Sequence, residues 1–154
     1  MVRKYIFGEP IETDAVVKEI ASSAWCDGVF QKKEDGFHYS LKEDEIVYGL
    51  GENVRGINKR GWRYISNCSD NPNHCENTNS LYGAHNFIMV GDGVHETYGL
   101  FVDTPGRVTF DIGYTDIDDL SISMEEENYK IYLIEADSYS NVVQEFRELI
   151  GRSY

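Results

Sequence analysis

The succession of short apolar segments between turn signals constrains the fold of this chain more than any other feature. The segments are rich in β-branched and aromatic residues and follow one another at roughly 8–12-residue spacing. Turn signals separate them, among them GDG (91–93) and TPG (104–106). Eight or more short strands at this spacing predict an all-β domain, an antiparallel sandwich or barrel. The predicted strands are VFQKK, FHYSL and IVYGLGE between residues 28 and 52, WRYIS (62–66), HNFIMVG (85–91), TYGLFVD (97–103), RVTFDIGY, DLSISM and NYKIYLIEA.

Helical periodicity is confined to the two ends of the chain. A short N-terminal helix is predicted from Asp14 to Ser22. A stronger signal covers SNVVQEFRELIG (140–151), where apolar residues recur at i, i+1, i+4, i+7 and i+8. This spacing predicts an amphipathic C-terminal helix. The capping candidates are Asp137, Ser138 and Ser140 at its start and Gly151 at its end.

The charge of the chain excludes several classes of partner. There are 27 acidic and 14 basic residues, for a formal net charge of −13. Such a surface repels phosphate backbones and anionic lipids, so neither nucleic-acid binding nor membrane-surface binding is expected. The N-terminus has no apolar signal region, and no run approaches the ~18 apolar residues of a membrane span. We therefore expect a cytoplasmic location, with the three cysteines as reduced thiols.

Residues 65–87 form a polar segment that resembles a metal site at first sight. It holds Cys68, Asp70, His74, Cys75, Glu76 and His85. Structural zinc sites, however, use close ligand pairs such as C-x₂-C, and the two cysteines here are seven positions apart with no second pair. The intervening Asn, Asp, Pro and Ser residues are typical of a loop. We predict a long loop and no metal.

No complete active site is visible in the sequence. The stretch DIGYTDIDDLSISMEEE matches an EF-hand loop at Asp116, Asp118 and Glu127, but Ser121 stands where the glycine is required. The alternation of apolar residues from position 120 to 124 predicts a strand instead. The chain has no dinucleotide-binding or nucleophile-elbow motif. No catalytic residue and no cofactor are therefore assigned.

Five ordered stretches together resemble a known family. They are IVYGLGE (46–52), INKRGWRYIS (57–66), SLYGAHNFIM (80–89), TYGLFVDTPGRVTFDIG (97–113) and VVQEFRELIGRSY (142–154). As an ordered set they resemble the N-terminal β-sandwich of glycoside hydrolase family 31, most closely the bacterial, gut-Firmicute-type α-glucosidases. The resemblance covers the chain from about residue 46 to its end, and we extend it to about Lys4.

The resemblance implies a galactose-mutarotase-like sandwich that occupies residues 1–154 as a single N-terminal domain. In the family such a domain packs on a (β/α)₈ barrel that carries two catalytic aspartates. That barrel is expected downstream of Tyr154 and absent from this chain. The isolated chain would then be inactive, and the surface that packs on the barrel would favour self-association.

The resemblance also implies a role for the polar loop. In the family this loop reaches the rim of the substrate pocket, where an aspartate of an aromatic-Asn-x-Asp motif hydrogen-bonds sugar hydroxyls. The matching residue is Asp70. The aromatic is missing here, and Asn67 and Asp70 are separated by one extra residue, so Asn67 or Asn71 could share the contact. The alternative is that Asp70 forms an Asx-turn with its own loop.

Four other residues near these motifs have structural alternatives. Lys59 and Arg60 are better explained as solvated charges or an inter-domain ion pair than as sugar ligands. Trp62 and Tyr82 could stack on sugars, but tryptophan and tyrosine beside a strand more often lie in a core or interface.

Three functions follow from these observations. The first is the scaffold and substrate-rim domain of a retaining exo-α-glucosidase, with an α-glucoside oligosaccharide as substrate. The second is a stand-alone carbohydrate-binding or protein-interaction module. The third, a sugar epimerase, depends on fold analogy alone.

Overall fold

The computed structural model describes residues 1–10, 16–49, 61–66, 86–104 and 107–151, and it contains eleven strands and one helix in these ranges. The strands are β1 (Val2–Phe7), β2 (Ser22–Ser23), β3 (Gln31–Lys33), β4 (Gly36–Ser40), β5 (Ile46–Gly49), β6 (Trp62–Ser66), β7 (Phe87–Gly91), β8 (Thr97–Asp103), β9 (Val108–Ile112), β10 (Asp119–Met124) and β11 (Tyr129–Ala136). The helix is α1 (Tyr139–Ile150).

The strands form two sheets. The six-stranded sheet has the order β2-β1-β11-β8-β7-β5, and the five-stranded sheet has the order β3-β4-β10-β9-β6. All pairings are antiparallel except that between β1 and β2, which is parallel. The predicted all-β sandwich is confirmed. Each predicted strand segment overlaps an observed strand, and β1 and β2 add two that periodicity did not indicate.

The main core lies between the two sheets. It is built from alternate residues of the strands, such as Leu120 and Ile122 of β10 and Ile131 of β11, which are fully buried. A second apolar cluster lies on the outer face of the six-stranded sheet, beneath α1. The central strands β7, β8 and β11 are therefore buried on both faces, and their apolar residues are nearly continuous in sequence.

The helix α1 is formed and capped much as its sequence predicts. Ser138 is the N-cap, with extended backbone angles, and its side chain accepts a hydrogen bond from the Asn141 N–H at 3.2 Å. Gly151 adopts φ +68° and donates its N–H to carbonyls of the last turn. The buried face of α1 consists of Val142, Phe146, Leu149 and Ile150.

A glycine in β8 allows α1 to approach the sheet. A β-carbon added at Gly99 would lie 2.7 Å from Cγ1 of Val142 and 3.0 Å from Cε1 of Phe87. Above this position Phe146 stacks on Phe87, with ring centroids 3.8 Å apart and planes 2° from parallel. Helix and sheet thus interlock through aromatic contacts that a larger residue at position 99 would displace.

The predicted N-terminal helix from Asp14 to Ser22 is wrong over the residues that the structure describes. Residues 16–21 are irregular, and Ser22 begins the short strand β2 beside β1. The N–H groups of Val17 and Lys18 donate to the carbonyl of Leu149 at the end of α1, at 2.9 and 3.3 Å. Packing against α1 and pairing with β1 satisfy this segment without a helix, so tertiary contacts outweigh its weak periodicity.

Among the described residues, no helix has the length and apolar character needed to cross a membrane.

Candidate functional site

The residue expected to contact substrate, Asp70, lies outside the described residues, but the strands on either side of its loop are defined. β6 ends at Ser66, which pairs with Val108 of β9 in the five-stranded sheet. β7 begins at Phe87, which pairs with Phe101 of β8 in the six-stranded sheet. The segment that contains Asp70 therefore joins one sheet of the sandwich to the other.

A second connection crosses between the sheets beside it. β8 ends at Asp103, two residues beyond the partner of Phe87, and β9 begins at Val108, the partner of Ser66. The strand ends that anchor the two crossing connections therefore lie side by side at one end of the sandwich, which we name the loop-bearing end. Loops held by rigid strands in this way are common positions for binding residues.

The loop-bearing end contains buried polar residues that sequence inspection missed. Asp103 at the end of β8 is 7% exposed, and Lys130 of β11 is 8% exposed. They are direct cross-strand partners, so their side chains lie on the same face, the outer face of the six-stranded sheet. Opposite charges in a site shielded from water attract more strongly than on the surface. The sequence signal that could have identified this pair is a single charged residue in each of two otherwise apolar stretches, Asp103 in TYGLFVD and Lys130 in YKIYLI.

An aromatic cluster fills the interior at this end. The ring of Tyr129 lies 5.1 Å from that of Phe7 and 6.2 Å from that of Phe37, measured between centroids. Burial, with a smaller contribution from the Asp35 carboxylate, raises the pKa of Tyr129 to about 12. The phenol is therefore neutral at physiological pH, and the cluster fills the space between the two sheets with aromatic rings.

The outer face of the five-stranded sheet is polar. The register aligns Arg63, Asp111, Ser121 and His38 in one row across β6, β9, β10 and β4. Burial tends to raise the pKa of Asp111, but hydrogen bonds from the Thr115 side chain and from nearby backbone N–H groups lower it overall. Asp111 is thus a carboxylate that orders the β9–β10 turn, and these contacts do not form a catalytic pair.

The opposite end of the sandwich has a buried acid of structural character. The Tyr39 hydroxyl donates to Oε2 of Glu45 at 2.5 Å, and the Lys42 N–H donates to Oε1 at 2.8 Å. Burial and the neighbouring Glu45 carboxylate raise the pKa of Tyr39.

At the same end, Asp92 orders the β7–β8 hairpin. Its carboxylate accepts hydrogen bonds from the N–H groups of Val94 and His95, both at 2.8 Å. The hairpin predicted at GDG (91–93) is confirmed.

The other candidate residues are only partly covered by the structure. Lys59, Arg60 and Tyr82 lie outside the described ranges, as do Cys68, His74, Cys75 and His85 of the polar loop, and Trp62 belongs to β6. Within those ranges no three His, Cys, Asp or Glu side chains are grouped so that they could hold a metal ion. The strand predicted in place of an EF-hand is confirmed as β10, which separates Asp116 from Glu127.

The family-model comparison matches residues 8–111 to the glycosyl hydrolase 31 N-terminal galactose mutarotase-like domain. This match covers most of the chain and includes strands of both sheets. The chain therefore belongs to this family, the N-terminal sandwich domains of glycoside hydrolase family 31. The resemblance drawn from the five sequence stretches is confirmed at the level of the family.

Curated relatives are longer proteins with glycosidase activities. An α-glucosidase of Saccharolobus solfataricus is 28% identical over 116 residues, which cover 75% of this chain and 16% of the relative. An α-xylosidase, XylQ, of Lactiplantibacillus pentosus is 31% identical over 114 residues, which cover 73% of this chain and 14% of the relative. The chain thus aligns with about one seventh of each of these proteins.

Solved structures support the same fold. A dextranase of this family from Flavobacterium johnsoniae, complexed with glucose, superposes with a TM-score of 0.56 at 25% identity and covers 82% of this chain and 15% of the dextranase. A cycloalternan-degrading enzyme from Trueperella pyogenes gives a TM-score of 0.57 at 21% identity, covering 77% of this chain and 17% of that enzyme. The second likeness supports the fold alone.

Proposed function

We propose that this chain is the N-terminal scaffold and substrate-rim domain of a retaining exo-α-glucosidase. The complete enzyme would hydrolyse terminal α-linked glucose from oligosaccharides through a covalent glycosyl-enzyme intermediate. The observation that carries the proposal is the family match over residues 8–111, together with the α-glucosidase relative that aligns with three quarters of the chain. The acidic surface is compatible with such a neutral substrate, since it repels anions but not uncharged sugars.

The catalytic residues belong, in this proposal, to a (β/α)₈ barrel on the same polypeptide downstream of Tyr154. The lengths of the relatives support this arrangement, because the chain accounts for only 14% to 16% of each. Residues 1–154 then form a single domain with the barrel as its packing partner, and without the barrel the chain has no hydrolytic activity. Separated from it, the chain would self-associate through the uncovered interface, and the whole enzyme would be cytoplasmic.

Asp70 is proposed to bind the sugar on the leaving-group side of the scissile bond. Its carboxylate can accept hydrogen bonds from two neighbouring hydroxyls, and charge-assisted bonds of this kind fix the orientation of a sugar. The loop-bearing end supports this role, because strand pairing holds both ends of the Asp70 segment, through β6 and β9 on one side and through β7 and β8 on the other. The buried residues Asp103 and Lys130 are cross-strand neighbours at the same end of the six-stranded sheet.

The substitution Asp70→Ala in the full-length enzyme tests this assignment. Loss of a charged hydrogen-bonding partner is expected to lower kcat/KM for maltose by about ten- to a hundredfold. Asp44→Ala is the matched control, because Asp44 is exposed in the β4–β5 connection and should leave kcat/KM unchanged. An unchanged kcat/KM in Asp70→Ala would contradict the substrate contact and favour an Asx-turn at this position.

A second candidate is an α-xylosidase, favoured by the 31% identity to XylQ. The two activities differ in whether the site accepts the hydroxymethyl group of glucose. Parallel assays with p-nitrophenyl α-glucoside and α-xyloside distinguish them, and we expect the glucoside to be the better substrate. If the open reading frame encodes no barrel at all, the chain would instead be a stand-alone carbohydrate-binding or interaction module.

A further inference from the structure

Beside its buried residues, the helix α1 carries a row of side chains that the six-stranded sheet buries only in part. Its buried residues pack on β7, β8 and β11, whereas Tyr139, Val143 and Arg147, spaced four residues apart, adjoin the buried face and remain half-buried. These three residues form one wall of an open groove, and the exposed Ser140 and Gln144 lie on its rim. The groove is about 12 Å long, estimated from the helical rise between residues 139 and 147.

The other wall of the groove is the edge of the six-stranded sheet. Tyr48 of the edge strand β5 and Met89 of β7 are direct cross-strand partners, and both side chains face the groove. The groove is open to solvent and has a volume of about 500 Å³, within the range of small-molecule sites. We name this feature the α1–β5 groove. It runs beside the paired residues Tyr48 and Met89 of β5 and β7.

Two tyrosines give the groove a fixed aromatic corner. The rings of Tyr48 and Tyr139 lie 4.8 Å apart at 81°, so their planes are nearly perpendicular. The Tyr139 hydroxyl donates to the carbonyl of Gly91 at 2.6 Å, with the carbonyl of Ile46 at 3.4 Å, which holds the ring against the sheet edge. Because this hydrogen bond uses the hydroxyl, the ring surfaces are what Tyr139 offers to a ligand.

The lining combines apolar surface with a small number of polar groups. Val143 and Met89 add aliphatic surface beside the tyrosines, while Ser140, Gln144 and Arg147 provide hydroxyl, amide and guanidinium groups. The pyranose ring of a sugar has the complementary character, with apolar C–H faces and a rim of hydroxyls. Arg147 is the one cation among the lining residues, and the net charge of −13 disfavours an anionic ligand.

We propose that the α1–β5 groove is a binding site for a neutral oligosaccharide, formed by side chains of α1, β5 and β7. The aromatic corner would stack on one sugar unit, and the polar residues of α1 would bind hydroxyls of that unit and the next. A second copy of the chain fits this surface less well, because a groove about 12 Å long offers only a small part of the ~800 Å² per partner that a stable interface buries. The choice of ligand class, but not the existence of the groove, rests on the proposed function.

The site would act as an accessory contact for the substrate chain. When a second site holds one part of an oligosaccharide, the rest of that chain stays close to the active site. Its effective concentration at the active site is then raised. Affinity at such a shallow site is expected in the millimolar range.

Titration of the 154-residue chain with isomaltotriose and with maltotriose, followed by calorimetry, tests the proposal. We expect saturable binding of at least one of them, weakened at least tenfold in Tyr48→Ala. Tyr114→Ala removes an exposed tyrosine of the β9–β10 turn, remote from the groove, and should leave affinity unchanged. Gln144→Trp, which fills the groove from an exposed helix position, should abolish binding without removing any core contact.

Three outcomes would overturn the proposal: no binding at about 10 mM sugar, unchanged binding in both Tyr48→Ala and Gln144→Trp, or tighter binding of glucose 6-phosphate than of the neutral sugars. Asp70→Asn separates this test from that of the proposed function, because it should leave groove binding intact while impairing hydrolysis by the full-length enzyme. Sedimentation velocity on the same samples detects the competing outcome, in which a second copy occupies the groove and Gln144→Trp dissociates a dimer.

Discussion

The outer faces of the two sheets differ sharply although both belong to one sandwich. The six-stranded sheet presents aromatic and aliphatic residues outward, including Phe87, Phe101 and Tyr132, and α1 covers them. The five-stranded sheet presents the row of His38, Ser121, Asp111 and Arg63, and no described helix covers it.

This difference explains the two sequence patterns of the strands. β7 and β11 are apolar along almost their whole length because both of their faces are buried, whereas β9 and β10 alternate because one face is polar. The helix is thus part of the core, and we expect stability to depend far more on the covered face than on the polar one.

The largest effect is expected from Phe146→Ala in α1. Phe146 stacks on Phe87 and contacts Phe101 edge-on at 5.4 Å, so truncation opens a cavity between the helix and the sheet. The free energy of unfolding, measured by urea denaturation, should fall by about 3–5 kcal/mol. The control Tyr114→Ala, at a position 63% exposed, should change it by less than about 0.5 kcal/mol. A loss below about 1 kcal/mol in Phe146→Ala would mean that the helix contributes little.

The second-largest effect is a loss of stability at alkaline pH, caused by ionisation of Tyr129 in the interior between the sheets. The pKa of Tyr129 is about 12 in the folded protein against about 10 for an exposed tyrosine, because burial disfavours the phenolate. A raised folded-state pKa gives a contribution that is complete below pH 10 and lost as the pH rises toward 12. The loss at Tyr129 amounts to at most about 2–3 kcal/mol. Urea titrations from pH 9 to 12 should show a shallower decline in Tyr129→Phe, and identical slopes would contradict the assignment.

A smaller effect is expected where α1 begins. Ser138→Ala removes the side-chain oxygen that accepts from the Asn141 N–H, and it should lower the free energy of unfolding by about 1 kcal/mol. Ser140→Ala, two residues further along the chain, is the matched control. Its side chain is exposed and is not the N-cap, so the free energy of unfolding should hardly change. Equal effects at both positions in thermal unfolding would argue against Ser138 as the N-cap.

The smallest effect is expected on the polar face of the five-stranded sheet. There Lys33 Nζ donates to the hydroxyls of Ser121 and Ser123 at 2.5 and 3.1 Å and lies 3.3 Å from Asp35. Because water competes for these groups, Ser121→Ala should change the free energy of unfolding by less than about 0.5 kcal/mol. A loss above about 2 kcal/mol would show that this face is covered in solution and that the two faces are alike.

The sequence predicted those parts of the fold in which local signals and packing agree. The α1 periodicity, its Ser138 cap and the alternation in β10 are examples. An element with one buried face has apolar residues at a regular spacing, and this spacing is visible in the sequence. The strand β1 and the irregular segment around Val17 were not predicted correctly, because their conformation depends on pairing with β11 and on the distant end of α1.

The candidate site was less accessible to sequence reasoning for the same reason. The expected role of Asp70 came from the resemblance alone, while Asp103 and Lys130 became notable only when the register placed them opposite each other. Tyr48 and Tyr139 are 91 positions apart in the chain, so no spacing rule could bring them into one groove. Sites assembled from different strands and helices leave no periodic signal.

The most direct test of the central claim is the hydrolysis of maltose by the full-length product of the gene that encodes this chain. We predict that it releases glucose initially as the α-anomer, observed by proton NMR, while the 154-residue chain alone releases none. Release of the β-anomer would contradict a retaining mechanism. Absence of hydrolysis from both maltose and p-nitrophenyl α-glucoside by a folded full-length protein would contradict the assignment as an α-glucosidase domain.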